Sequence, residues 1–472
     1  MPLVAGIDSS TQSCKVVIRD ANSGELVRSG RASHPAGTEV DPNAWFEALE
    51  VAIADAGGFT DVSAVSIGGQ QHGMVLLDQD GRVIRKALLW NDTRSASTAT
   101  ELIEHFGAEY LVMNTGSIPV ASFTSTKVLW VARNEPENAA KVAAVCLPHD
   151  WLSWRLAGYG PAGESKFGPD FSALATDASD ASGTGYFNPV TGEYLDEIWQ
   201  FILGRKPVLP KIIKPGEWAY APDAGTHFGI ACGAGDNAAA GLGLGADIGD
   251  VVVSLGTSGT IFAVTGQQVA DLTGTVAGFA SASGSFLPLV CTLNAARVMD
   301  SFASLLSVNH KQLADLALAA DAGAGGAVVI PYFEGERTPN LPNAKGAVLG
   351  LTLENNTREN MARAAIEGML CGLADGFAVL RSHGVEAKRV LLVGGAAANP
   401  AVQLAASQIF GVDVEIPKLG EYVADGAARQ AIHSLTGAAP AWPVEMQAGV
   451  AADHRPEILH QYHAAQTSIY KI

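Results

Sequence analysis

One local plan occurs twice in this chain, once in each half. LVAGIDSSTQSCKVVIRD (3–20) and DVVVSLGTSGTIFAV (250–264) each read as an apolar strand, a short turn of Ser, Thr or Gly, and a second strand. In each half, strand-rich segments then give way to helical ones. Such a repeat restricts the fold to two similar α/β domains that meet near Gly245 and lend one hairpin turn each to a shared cleft. The length agrees, since 472 residues exceed what one hydrophobic core holds.

In the first half, residues 3–30 predict a β-meander and Asp41–Ala56 a helix behind an Asp-Pro start. VSAVSIGG (62–69) reads as a buried strand, and residues 74–90 as a hairpin with an Asp-Gly tip. Residues 95–156 look largely helical and 160–192 like long ordered loops. In the second half the longest helix is expected from about Thr357 to His383, where apolar positions recur at i, i+3, i+4 and i+7. KRVLLVGGAAANP then reads as a strand entering a glycine turn, followed by a helix to Phe410, the strand VDVEIP and the closing helix VADGAARQAIHSL. The expected domains are residues 1–244 and 245–440, with 441–472 as a C-terminal extension.

Bulk properties exclude several classes of function. A formal charge of −18 repels a phosphate backbone and argues against nucleic acid. Any phosphate site must then rest on backbone amides, helix ends and metal. The cysteines (Cys14, Cys146, Cys232, Cys291, Cys371) are scattered and show no zinc spacing, so a reduced cytosolic chain is expected, with Cys232 and Cys291 as core packers. MPLVAGIDSS has no basic n-region, and no run of about 18 apolar residues occurs. A soluble, cytoplasmic protein without a membrane partner is expected.

Chemistry-bearing residues gather at strand ends. Asp8 closes the strand GID directly before Ser9, Ser10 and Thr11. Such a carboxylate suits Mg²⁺ held through water; the plainer reading is an aspartate capping its own turn. Asp236, in GAGDNAAAG, precedes a small-residue segment. It suits a general base that takes the proton of an acceptor hydroxyl; an N-cap is the plainer reading. The turn SLGTSGT offers N–H groups and hydroxyls without bulk. A base beside such a cradle is what phosphoryl transfer to an alcohol needs.

Gln70, Gln71 and His72 follow a strand ending in two glycines, and with Trp90, Asn91 and Asp92 of LLWNDTR they suit a polyol or sugar. Asp177 and Asp180 either close an Asx-rich loop or line the pocket. Glu336 and Arg337 of GERTP read first as a structural ion pair. GGAAAN (394–399) suits close approach of backbone to adenine but lacks GxGxxG, and no P-loop pattern is present.

GIDSSTQSCKV, GGQQHGMVLLD with ALLWNDTR, TDASDASGTGYF, GAGDNAAAGLGLG, VVSLGTSGTIFAV, PYFEGERTPN and VLLVGGAAANP follow one another from residue 6 to 399. In that order they resemble the FGGY carbohydrate kinases over most of the chain, most of all the members that phosphorylate D-xylulose. The resemblance implies two actin-like ATPase (ribonuclease-H-like) domains in tandem with a cleft between them. It also implies in-line transfer of the ATP γ-phosphoryl group to a sugar hydroxyl. By the family pattern Asp236 is the catalytic base, and Asp8 organises Mg²⁺ and phosphate. Thr11, Gln12, Ser13 and the turn Gly256, Thr257, Ser258, Gly259 contact ATP phosphates, with Gly394, Gly395 and Asn399 on the adenosine side. Gln71, His72, Trp90, Asn91, Asp92, Asp236 and Asn237 surround the sugar.

Two positions depart from the family. Serine precedes Thr11 where glycine is usual, and Gln71 stands where the D-xylulose kinases often carry methionine. The implied partners are a ketopentose and ATP, with a homodimer left open. The alternatives are another sugar or polyol kinase (for ribulose, gluconate or glycerol) and an actin-like ATPase without a sugar acceptor.

Overall fold

The computed structural model describes residues 2–471. The expected meander is β1 (Leu3–Ser9), β2 (Ser13–Asp20) and β3 (Leu26–Ser33), joined in antiparallel register. On the other side of β1 lies β4 (Val62–Gly69), parallel to it. β5 (Trp218–Tyr220) forms the edge and β6 (Gly229–Ala231) fits between β5 and β4, while β7 (Ala234–Gly235) pairs with the last residues of β4. β1 and β4 are buried along nearly their whole length, as apolar strands covered on both faces must be. One cover is α1 (Pro42–Asp55), capped by Asp41 on Asn43 N–H and burying Trp45, Leu49 and Ala52. Three further helices carry the site: α2 (Pro148–Leu156), α3 (Ala178–Ala181) and α4 (Asp236–Gly243).

The second half contains β8 (Asp250–Leu255), β9 (Gly259–Ala263), β10 (Ala277–Ala280), β11 (Phe286–Thr292), β12 (Arg389–Val393), β13 (Val414–Pro417) and β14 (Met446–Val450). Their order, β10-β11-β9-β8-β12-β13-β14, repeats the first sheet strand for strand after β10. β8 pairs antiparallel with β9 and parallel with β12, as β1 does with β2 and β4. The expected tandem α/β plan is therefore present, and its two halves are equivalent in register as well as in order. This half also carries helices α5 (Ala296–Leu305), α6 (Arg358–Ser382), α7 (Pro400–Phe410), α8 (Tyr422–Thr436) and α9 (Pro456–Tyr470).

Residues 441–472, expected as an extension, supply β14 and α9. β14 answers to β5 of the first sheet, pairing antiparallel with its neighbour in the same way. α9 buries Ile458 and Tyr462 in the second core, where the Tyr462 and Tyr332 hydroxyls are 3.2 Å apart. Segment 74–90 also differs from expectation. Its Asp-Gly turn closes, with Asp78 N–H on Arg82 O at 2.9 Å, but the return strand keeps only the single bridges Leu77–Val83 and Met74–Leu88. Val75–Leu77 instead pairs with Ala144–Cys146, a stretch that no local pattern points to.

The halves exchange helices. α8 belongs to the second half yet lies on β1 and β4 of the first, with Ser66 Oγ on Gln430 Oε1 at 3.0 Å and Arg19 Nε on Asp425 at 2.7 Å. α4 packs its alanines against Val252, Phe262, Leu391 and Val393 of the second sheet. The two helices cross with their backbones touching. A Cβ on Gly6 would lie 1.8 Å from Ala424 O, and one on Gly426 1.8 Å from Ala239 O. Only glycine permits that approach, which accounts for the small residues around Asp236. Among the described residues no helix is long and apolar enough to cross a membrane.

Candidate active site

Between the domains opens a cavity of about 310 Å³, bordered by Asp8, Lys15, Asp236, Asn237, Ser254 and Gly394. Residues 419–423, which carry no motif in the sequence, close its far wall. The ends of β1 and β8, and the turns that follow them, meet here because the two sheets are equivalent.

Asp8 faces Lys15 across the β1–β2 ladder. Its carboxylate accepts from Ser10 Oγ and lies 3.7 Å from Lys15 Nζ, which is itself paired with Glu421 at 2.5 Å. Burial pushes the Asp8 carboxyl upward in spite of these donors. The turn's carbonyls are held by His34: its Nδ1 is 2.8 Å from Ser10 O, and its N–H is 2.9 Å from Gln12 O. Burial lowers the His34 pKa, so the ring is neutral and donates through Nδ1. The N–H groups of Ser10, Thr11 and Gln12 have no acceptor among the described residues. Thr11 Oγ1 accepts from Trp90 Nε1 at 2.9 Å.

The second turn repeats this arrangement with backbone alone. Ala296 N–H donates to Gly256 O at 2.9 Å and Ala295 N–H to Thr257 O at 3.3 Å. Gly256, Thr257 and Ser258 are exposed, and their N–H groups likewise find no acceptor among the described residues. Ser254 occupies the Asp8 position of the repeat. Gly394, at φ +96°, crosses Leu255 so closely that a Cβ would come 2.5 Å from its carbonyl oxygen. Gly395 is open on its outer side. Asn399 has its amide oxygen engaged at the N-terminus of α7, on Ala401 N–H at 2.9 Å.

Asp236 is not the N-cap of α4; Gly235 is, and Asp236 is the first helical residue. Its Oδ1 accepts from Asn237 N–H at 2.8 Å and Asn237 Nδ2 at 3.0 Å, while Oδ2 has no partner among the described residues. Burial, then the charge of Asp8, pushes the carboxyl up to about 7. On its other side Asn237 Nδ2 reaches Gln71 Oε1 at 3.4 Å, and Gln71 Nε2 reaches Ser179 O at 3.3 Å. His72 takes the left-handed conformation, φ +69°, and its ring lies between Phe123 and Phe279, centroids 4.9 and 5.8 Å away. Its Nδ1 is 2.5 Å from Gly183 O, and burial lowers its pKa to about 3. A carbonyl only accepts, so Nδ1 carries the proton and Nε2 remains an acceptor.

Two groups lie outside the expected set. His34 binds the first turn. Lys127, buried in the helix Thr124–Asn134, donates to His72 O at 2.8 Å and fixes that strained residue. Gln70, expected in the polar cluster with Gln71 and His72, is fully buried, and neither of its amide atoms has a partner among the described residues. Conversely, the turn 90–92 does not form one polar cluster with Gln71 and His72. The Met74–Leu88 bridge brings Trp90 near His72, but its indole N–H goes to Thr11. Asn91 is exposed. Asp92, expected at the sugar, is engaged by Arg94 Nε at 2.9 Å and Thr38 Oγ1 at 2.8 Å.

Beneath the site, Asp177 caps α3 through Ser179 N–H (2.9 Å) and Asp180 N–H (3.0 Å), which is the Asx closure. Asp180 bonds His149 Nδ1 at 2.6 Å, and His149 Nε2 lies 3.3 Å from Asp150. All three are buried. Burial alone would lower His149, but the carboxylates around it outweigh that and push it up to about 10, so the ring is an imidazolium. α3 thereby becomes a firm support: Ser179 holds Gly235 N–H through Oγ at 3.1 Å as well as Gln71.

A family model described as the N-terminal domain of the FGGY family of carbohydrate kinases matches residues 3–243, and its C-terminal counterpart matches residues 251–435. A xylulose kinase of Streptomyces rubiginosus is 43% identical over 455 residues, which is 93% of this chain and 89% of that protein. The crystal structure of a xylulose kinase from Bifidobacterium adolescentis superposes with a TM-score of 0.93 at 46% identity, covering 98% of this chain and 99% of that one. A gluconate kinase from Lactobacillus acidophilus has a TM-score of 0.85 at 23% identity, covering 98% and 96%, which is a likeness of fold.

Proposed function

The chain belongs to the FGGY family of carbohydrate kinases, and we propose that it transfers the γ-phosphoryl group of ATP to D-xylulose, with Asp236 as general base. Membership makes it an ATP-dependent carbohydrate kinase. The choice of D-xylulose is supported by the xylulose kinases it resembles at 43% and 46% identity. The fold alone does not choose, since a gluconate kinase shares it.

One observation carries the mechanism. Asp236 stands with an unengaged carboxylate oxygen where the phosphate-turn cavity meets the Asn237–Gln71 pair. An acceptor held by Gln71, Asn237 and neutral His72 Nε2 presents a hydroxyl to that oxygen. ATP phosphates lie on the free N–H groups of the two turns, which bind anions without a basic field. The base works as a carboxylate, so turnover falls as pH drops through about 7. The same shift means that stability from protonated Asp236 is present below its ordinary value of 3.8 and lost as pH rises through about 7. A divalent cation fits at Asp8, a buried carboxylate with one hydroxyl and a distant ammonium to offset it, and would neutralise phosphate charge.

An ADP-release assay with ATP–Mg²⁺ and D-xylulose, D- and L-ribulose, glycerol or D-gluconate tests the reading. Turnover confined to D-xylulose is expected. Preference for another acceptor would transfer the assignment to it and point to Gln71; ADP release independent of any acceptor would contradict a sugar kinase.

A further inference from the structure

The ion pair expected between Glu336 and Arg337 does not form. Glu336 is buried and accepts from Leu293 N–H at 2.6 Å, from the Arg337 N–H at 2.7 Å and from Asn294 Nδ2 at 2.9 Å. Thr338 Oγ1 donates to Cys291 O at 2.8 Å. Both neighbours of Arg337 are thus fastened to the end of β11. The next residues along, Ala295 and Ala296, hold the carbonyls of the second phosphate turn, and Thr292 sits opposite Gly259 in the ladder. Arg337 itself is exposed and makes no side-chain hydrogen bond, ion pair or ring contact among the described residues.

A flexible cation is therefore presented from a fixed base beside the second phosphate turn. Its charge is felt at His72 and at Cys291, and Cys291 also feels Asp236. Other cations nearby are already engaged: Lys15 by Glu421 and Asp8, Arg94 by Asp92 and Glu39, and Lys127 by the carbonyls of His72 and Ser122. Asp8 and Asp236 both place negative charge where a phosphoryl group must pass.

We propose that Arg337 is the second domain's hold on the phosphoryl group in transfer, binding its oxygens in ATP, in flight and on the sugar phosphate. This rests on the sugar-kinase reading. In that step the acceptor oxygen bonds to the γ-phosphorus, and the bond from that phosphorus to the β–γ bridging oxygen breaks with its electron pair leaving on ADP. The hydroxyl proton goes to Asp236. Arg337 forms and breaks no covalent bond; its planar guanidinium matches phosphate oxygens in pairs, which an ammonium does not.

The test compares Arg337→Gln and Arg337→Lys with the unmodified protein. With ATP–Mg²⁺ and D-xylulose, Arg337→Gln is expected to lower kcat by roughly 10²–10³-fold, the range for removing one donor to transition-state charge, with KM for D-xylulose changed less than about threefold. Arg337→Lys recovers part of that loss. By calorimetry Arg337→Gln binds D-xylulose 5-phosphate at least about tenfold more weakly, one ion-paired hydrogen bond in scale, and D-xylulose as before. Unchanged kcat and unchanged sugar-phosphate affinity would overturn the proposal. So would a raised KM for D-xylulose at full kcat, which would make Arg337 a sugar contact. Absence of turnover in the unmodified protein would instead overturn the kinase reading.

Discussion

The two turns of the repeat reach one arrangement by different means. Each ends the first strand of its sheet, each has its carbonyls tied back by a neighbour, and each is left with unbonded N–H groups. In the first, His34 ties them, its ring holding the Ser10 carbonyl and its backbone N–H that of Gln12. In the second, the backbone of Ala295 and Ala296 does so. The first turn carries Asp8, Ser10 and Lys15; the second has Ser254 in the aspartate's place and glycine at Gly256 and Gly259. The repeat supplies free N–H groups twice, whereas the buried carboxylate stands at the first turn alone, with its lysine paired to Glu421 of the second half. The second half contributes room, and with Arg337 a cation that has no partner among the described residues.

Removing the defining group from each turn should break this symmetry most strongly. Asp8→Asn is expected to lower kcat by roughly 10²–10³-fold, whereas Ser254→Ala at the equivalent position costs less than about tenfold. Steady-state ADP release with D-xylulose measures both. Equal losses would mean that the turns are functionally alike. A smaller effect sharpens the contrast in how the turns are held. His34→Leu frees the Ser10 carbonyl and removes one buried hydrogen bond, so KM for ATP should rise roughly tenfold with kcat little changed. An unchanged KM would show that the first turn holds its shape without the ring.

Much of this was legible because it is local. The meander, the two turns, Asp8 and Asp236 are all signalled by a few consecutive residues in LVAGIDSSTQS, SLGTSGT and GAGDN. What escaped depends on chain segments brought together only by packing. Val75–Leu77 has its partner at Ala144–Cys146, and no pattern in either stretch names the other. α8 looks like any amphipathic closing helix, yet it lies on the opposite domain's sheet because Gly6 and Gly426 let backbones touch. His34 and Lys127 act through carbonyl oxygens, which leave no trace in sequence. Asp92 and Glu336 have partners that their residue types alone do not name. Arg94 engages Asp92, and the Leu293 N–H together with the Asn294 side-chain amide engages Glu336, so the ion pair with Arg337 does not form.

Asp236 lies between the two turns and the Asn237–Gln71 pair, and the proposed mechanism depends on its carboxylate. The most direct measurement is the pH profile of turnover for the unmodified protein and Asp236→Asn, with ATP affinity measured alongside. The unmodified protein should lose kcat/KM tenfold per unit as pH falls below about 7 and level off above it. Asp236→Asn should be slower by roughly 10²–10⁴-fold at every pH while binding ATP nearly as well. An Asp236→Asn protein with near-normal turnover would contradict the assignment of the base.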